Sequence, residues 1–68
     1  MYKRAVIYFK DGEKDWIDPI ENNGIVRNND LIQIYNGYNT YDFNSNEISK
    51  IEILTIQTDG DGEIIFEN

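Results

Sequence analysis

Leu31-Ile32-Gln33-Ile34-Tyr35-Asn36-Gly37-Tyr38-Asn39-Thr40-Tyr41-Asp42-Phe43 is the stretch that decides the fold class. Two runs of β-branched and aromatic residues flank an Asn-Gly pair. Asn-Gly reaches the positive φ values of a type I′ turn at little steric cost, so the segment reads as a β-hairpin. A two-residue Asn36-Gly37 loop would set Tyr35 opposite Tyr38, Ile34 opposite Asn39, Gln33 opposite Thr40 and Ile32 opposite Tyr41. In that register Ile32, Ile34, Tyr41 and Phe43 share an inward face, and Tyr35 and Tyr38 stand on the other side at the tip.

The same pattern recurs on either side. Asp11-Gly12 separates a strand over Tyr2 to Phe9 from one over Lys14 to Ile20, and a two-residue loop there pairs Phe9 with Lys14, Ile7 with Trp16 and Val6 with Ile17. Ile7 and Trp16 then lie with Ala5 and Phe9 on one face, while Val6, Tyr8 and Ile17 take the other. Apolar residues on both faces suggest a strongly curled sheet, a partial barrel or a dimer. Pro19 cannot donate to a ladder and marks the end or edge of the second strand. Glu21 to Gly24 reads as a loop, Ile25 to Arg27 as a short strand and Asn28-Asn29-Asp30 as a tight turn. Asn44 to Glu47 reads as a turn or one helical turn capped by Ser45 or Asn46. From Ile48 to Thr58 the chain is extended, with Ile51 and Ile53 on one parity and Leu54 and Ile56 on the other, so this strand is buried on both faces or carries a bulge. Glu63 to Phe66 can fold back on it after the Asp59-Gly60-Asp61-Gly62 turn.

The expectation is a single all-β domain over residues 1–68, built of successive antiparallel hairpins with at most one helical turn near residues 44–48. Ile7, Trp16, Ile32, Ile34, Phe43, Ile51 and Ile53 are its expected core. A chain of 68 residues buries only about 60% of the surface its unfolded form exposes. With no Cys and no His, neither a disulfide framework nor a Cys/His zinc site can reinforce it. Its 12 Ile residues and the aromatics must supply the stability, alone or against a second copy.

Six Lys and Arg face 13 Asp and Glu, giving a net charge of −7. That field disfavours nucleic-acid phosphates and anionic membranes, which bind through cationic side chains. It suits a basic surface on another protein, though solubility alone accounts for it too. The apolar run after Met1 is too short for a signal segment and runs into Asp11-Gly12-Glu13, which points to a cytoplasmic protein.

Catalysis is not expected. Without His or Cys, acid-base work would fall to groups such as Asp15, Asp18, Glu21 and Asp42, whose spacing sets up no paired carboxylates. Residues 57–68 partly resemble an EF-hand loop, with Asp59, Asp61, Gly62 and Ile64 at matching positions, but Gln57 and Asn68 stand where the first carboxylate and the bidentate Glu belong. No metal and no cofactor is therefore expected. The candidate partner-binding residues are Tyr35, Asn36, Tyr38 and Asn39 at the hairpin tip, because Tyr offers large contact area at low entropic cost. Glu13 and Asp15 join them as an alternating acidic pair able to imitate a row of phosphates. A self-stabilising aromatic pair and a solvated turn explain the same residues without a partner.

An acidic, Asn- and Ile-rich β-domain opening Val6-Ile7-Tyr8-Phe9-Lys10-Asp11-Gly12-Glu13 resembles the small accessory proteins of phages and mobile elements, of which anti-CRISPR proteins are one group. The resemblance lies in size, charge and style across the whole chain, and it carries over no functional residue. It implies a non-enzymatic protein that binds and blocks a larger, nucleic-acid-handling protein with a basic surface. The alternative is a structural or assembly subunit completed by self-association, and apolar residues on both faces favour a homodimer over a monomer.

Overall fold

The computed structural model describes residues 2–20, 24–56 and 62–68. Seven strands and one short 3-10 turn follow in order: β1 (Tyr2–Phe9), β2 (Lys14–Ile17), β3 (Ile25–Asn28), β4 (Leu31–Tyr35), β5 (Thr40–Asn44), the turn Ser45–Glu47, β6 (Ile48–Ile56) and β7 (Glu63–Glu67). They form two antiparallel sheets. One has four strands in the order β2-β1-β6-β7, the other three in the order β3-β4-β5. The protein is therefore all-β, with the two ends of the chain building the larger sheet and the middle building the smaller. Neither strand order closes on itself, so two open sheets stand where the sequence suggested one curled sheet or partial barrel.

The sheets pack face to face around Ala5, Ile7, Ile17, Ile48 and Ile51 of the larger and Ile32 and Ile34 of the smaller, with Phe66 closing one side. Phe9 and Phe43 meet across the gap with ring centroids 6.1 Å apart. The expected core residues Ile7, Ile32, Ile34 and Ile51 are fully buried, while Phe43 and Ile53 are partly buried against them. Trp16 is the exception, 54% exposed.

The reason lies in the first turn. The Gly12 N–H donates to the Phe9 carbonyl at 3.1 Å and the Phe9 N–H to the Glu13 carbonyl at 2.8 Å. The loop is thus three residues, Lys10 to Gly12, with Gly12 at φ 95°: a turn followed by a glycine bulge rather than a two-residue type I′ turn. Pairing shifts by one, to Tyr8 with Lys14, Ile7 with Asp15, Val6 with Trp16 and Ala5 with Ile17. A one-residue slip exchanges the faces of a strand. Ile17 enters the core and Trp16 leaves it.

The central hairpin differs in register too, without that consequence. Tyr35 pairs with Thr40, Ile34 with Tyr41 and Ile32 with Phe43, a slip of two that keeps Ile32, Ile34, Tyr41 and Phe43 on one face as expected. Gly37 (φ 97°) takes the first central position of the loop. The Asn36 side-chain oxygen accepts the Tyr38 and Asn39 N–H groups at 3.0 and 2.9 Å.

Asn44, rather than Ser45 or Asn46, caps the 3-10 turn, its side chain accepting the Asn46 N–H. In β6 the register with β1 breaks between the Tyr8–Lys50 and Phe9–Ile48 pairs, leaving Ser49 as the extra residue. This bulge lets Ile48 and Ile51, of opposite parity, both face the core. A second bulge at Ile65 lets β7 deliver Phe66 opposite Ile51. β2 ends at Ile17, ahead of a cis Asp18–Pro19 peptide, as Pro19 suggested. The Asp59 to Asp61 stretch, with its calcium-like spacing, lies outside the described residues.

Candidate functional site

Among the described residues, β2 and β5 are edge strands of different sheets, each paired on one side. Between them a cleft of about 260 Å³ opens at the mouth of the core, lined by Asp15, Trp16, Ile17, Asp18, Tyr41 and Phe43, with Asn36 contributed by the central turn. Its chemistry follows from strand phase. Asp15 stands opposite Ile7 and so points to the side on which the sheets meet, at the rim where the three-residue loop places it. Tyr41 comes from the inward face of β5. The result is an apolar floor of Ile17 and Phe43 under a rim of carboxylate, amide and phenol.

Two of the rim groups also serve the fold. The Asp15 carboxylate accepts the Trp16 N–H at 2.8 Å. Asp18 forms an ion pair with Arg4 at 2.7 Å, and the Arg4 guanidinium lies 5.8 Å from the centre of the Trp16 ring. The Asp18 hydrogen bond raises the Arg4 pKa above its ordinary value.

Of the residues singled out from the sequence, Asp15 and Asn36 come together at this cleft from separate hairpins. Glu13 lies outside its lining, in the first turn, where its N–H donates to Asp11 at 2.9 Å. Tyr38 is 89% exposed at the tip of the central hairpin. Tyr35 is also exposed, its hydroxyl donating to the Gly37 carbonyl at 3.3 Å. Asn39 is held in the turn through its backbone, so Tyr35, Tyr38 and Asn39 mark one tip beside the cleft rather than its wall. The residues that sequence reasoning missed are Trp16, Asp18, Tyr41 and Phe43. Two of them, Trp16 and Phe43, were assigned to the core, and the sequence signal for the cleft, aromatics on edge strands beside acidic residues, emerges only once the two sheets are separated.

Among the described residues, no group of three Asp or Glu is placed to hold a metal ion, and no helix is long and apolar enough to cross a membrane. No family model, curated protein or solved structure matches the chain.

Proposed function

We propose that this protein is a non-enzymatic binding module that docks its acidic, aromatic edge on a basic surface of a larger protein and blocks it. The observation that carries the reading is the convergence of Asp15 and Asn36, from different sheets, on one cleft walled by Trp16 and Tyr41. Exposed Tyr and Trp beside carboxylates are the side chains that anchor protein interfaces. A net charge of −7 steers such a surface toward a cationic partner and away from phosphate. A nucleic-acid-handling target fits because its phosphate-binding groove is basic, and the resemblance to phage and mobile-element accessory proteins adds inhibition to binding. The cytoplasm is the compartment in which such a target is met.

A tagged copy retained on a column in extract of its native host, with bound proteins identified by mass spectrometry, supplies the partner. Its association rate should fall steeply with ionic strength, because steering between charges is screened over about 8–10 Å at physiological salt. Asp15→Asn with Glu13→Gln should slow association, and Tyr35→Ala with Tyr38→Ala should speed dissociation. A rate flat in salt, with parental binding by the acid-neutralised variant, would remove the electrostatic reading.

A further inference from the structure

Tyr41 stands on the inner face of β5, opposite the fully buried Ile34, yet 37% of it is exposed. The strand facing it, β2, ends at Ile17, and the cleft is the space left open. Among the described residues the Tyr41 hydroxyl has no hydrogen-bond partner. Across the cleft, Asp15 uses one carboxylate oxygen on the Trp16 N–H, and among the described residues the other oxygen accepts nothing. The Asn36 side-chain oxygen is spent on its own turn. A ligand therefore meets one anionic oxygen, one phenol and the aromatic rings of Tyr41 and Phe43. That set suits a cation, since a ring face attracts positive charge lying within about 6 Å of its centre, more so where water is excluded.

The chain fills the same combination a few residues away. Arg4 pairs with the Asp18 carboxylate at 2.7 Å and lies 5.8 Å from the centre of the Trp16 ring, on the aromatic outer face that Trp16 shares with Tyr8. Lys50 sits over Tyr8 and Arg27 over Phe66. None of the chain's six Lys and Arg residues lines the cleft, so a cation there comes from another molecule. A second copy is a poor source, because two bodies of net charge −7 repel each other. A metal ion is a poor occupant as well, since among the described residues no group of three Asp or Glu is placed to hold one.

We propose, resting on the docking role above, that the cleft takes an arginine side chain of the partner, its guanidinium stacked on Tyr41 and hydrogen-bonded to Asp15. At about 260 Å³ the cleft is smaller than the roughly 300–1,000 Å³ of sites for drug-sized ligands and suits a single side chain. Arginine fits it better than lysine. A guanidinium is planar, weakly hydrated and stacks on rings, whereas an ammonium is a compact charge that holds its water.

The probe is N-acetylarginine amide, with N-acetylcitrulline amide as its neutral isostere and N-acetyllysine amide as the rival cation. Each is titrated at constant ionic strength into the full chain, followed by amide NMR. Arginine should move the Ile17, Tyr41 and Phe43 resonances saturably, and the other two should bind about tenfold more weakly or worse. Asp15→Asn, which keeps an oxygen for the Trp16 N–H, and Tyr41→Leu should each weaken arginine binding about tenfold or more. Binding of citrulline or lysine as tight as that of arginine would overturn the proposal, as would shifts absent from the cleft. These comparisons use the unaltered chain, so they decide even where a variant does not fold. A partner retained from host extract while arginine leaves the cleft untouched would sink the arginine assignment and spare the docking role. Arginine bound in the cleft with no partner retained would do the reverse.

Discussion

Asp15 occupies a position where one side chain settles two questions. The Phe9–Glu13 backbone bond fixes the phase of the β1–β2 ladder, so the Trp16 N–H points away from β1 toward open solvent. An unpaired edge donor is a template for another strand. The Asp15 carboxylate takes that donor at 2.8 Å, blunting the edge while keeping its charge at the cleft. Burial separates Trp16 from Ile34 as sharply. Ile34 is fully enclosed between the sheets, and truncation to Ala should cost about 2–5 kcal/mol, enough to unfold much of a domain this small. Trp16→Ala removes an exposed ring whose contact with Arg4 contributes about 0.5–1 kcal/mol. Urea titrations of the two variants should therefore give widely separated midpoints, with Ile34→Ala the lower. Equal midpoints would place Trp16 in the core.

Strands were more legible than their pairings. β1 runs over Tyr2–Phe9 as read from its apolar run, and the fold-back of β7 on β6 follows the same logic. The hairpin faces depended on loop length. Asp-Gly suits a two-residue loop and a three-residue loop ending in a left-handed glycine equally well, and the difference of one residue moved Trp16 outside. Asn36-Gly37 erred by two, and even slips preserve the face. In the strand read as Ile48 to Thr58, Ile51 and Ile53 stay on the inner face and Leu54 on the outer, with no break in register between them, and the bulge lies earlier, at Ser49, where it brings Ile48 inward. The bulge is held from both sides, since the Ser49 hydroxyl donates to the Tyr8 carbonyl at 3.3 Å and the Asn68 N–H donates to the Ser49 carbonyl at 2.8 Å. Deleting Ser49 would restore a regular ladder in which Ile48, now next to Lys50, still faces the core opposite Phe9, and would remove the hydrogen bonds made by the Ser49 hydroxyl and carbonyl. The loss, about 1 kcal/mol for each bond, should appear as a modestly lower melting temperature. A deletion variant that does not fold would mean that Ile48 reaches the core only through the bulge.

At the scale of the molecule, what the sequence could not reveal is the division of the strands between two sheets. The β1–β6 pairing joins residues such as Tyr2 and Ile56, and no local signal in either strand names the other. Once that pairing is made, the central three strands have no place in the sheet and close over its inner face, burying Ile32 and Ile34 against Ile7 and Ile51. The cleft between β2 and β5 and the aromatic outer face are both products of this division. Both also rest on the three-residue first loop, which puts Asp15 at the cleft and Trp16 outside, so that register is the central claim. A nuclear Overhauser spectrum of the intact protein tests it most directly. Val6 and Trp16 form a non-hydrogen-bonded pair, whose Cα atoms approach to about 4.5 Å, so a strong Hα–Hα cross-peak should join them, alongside cross-peaks between the Phe9 and Phe43 rings. An Hα–Hα cross-peak from Trp16 to Ile7, with indole contacts to Ile32 or Ile34, would return Trp16 to the core and contradict the account.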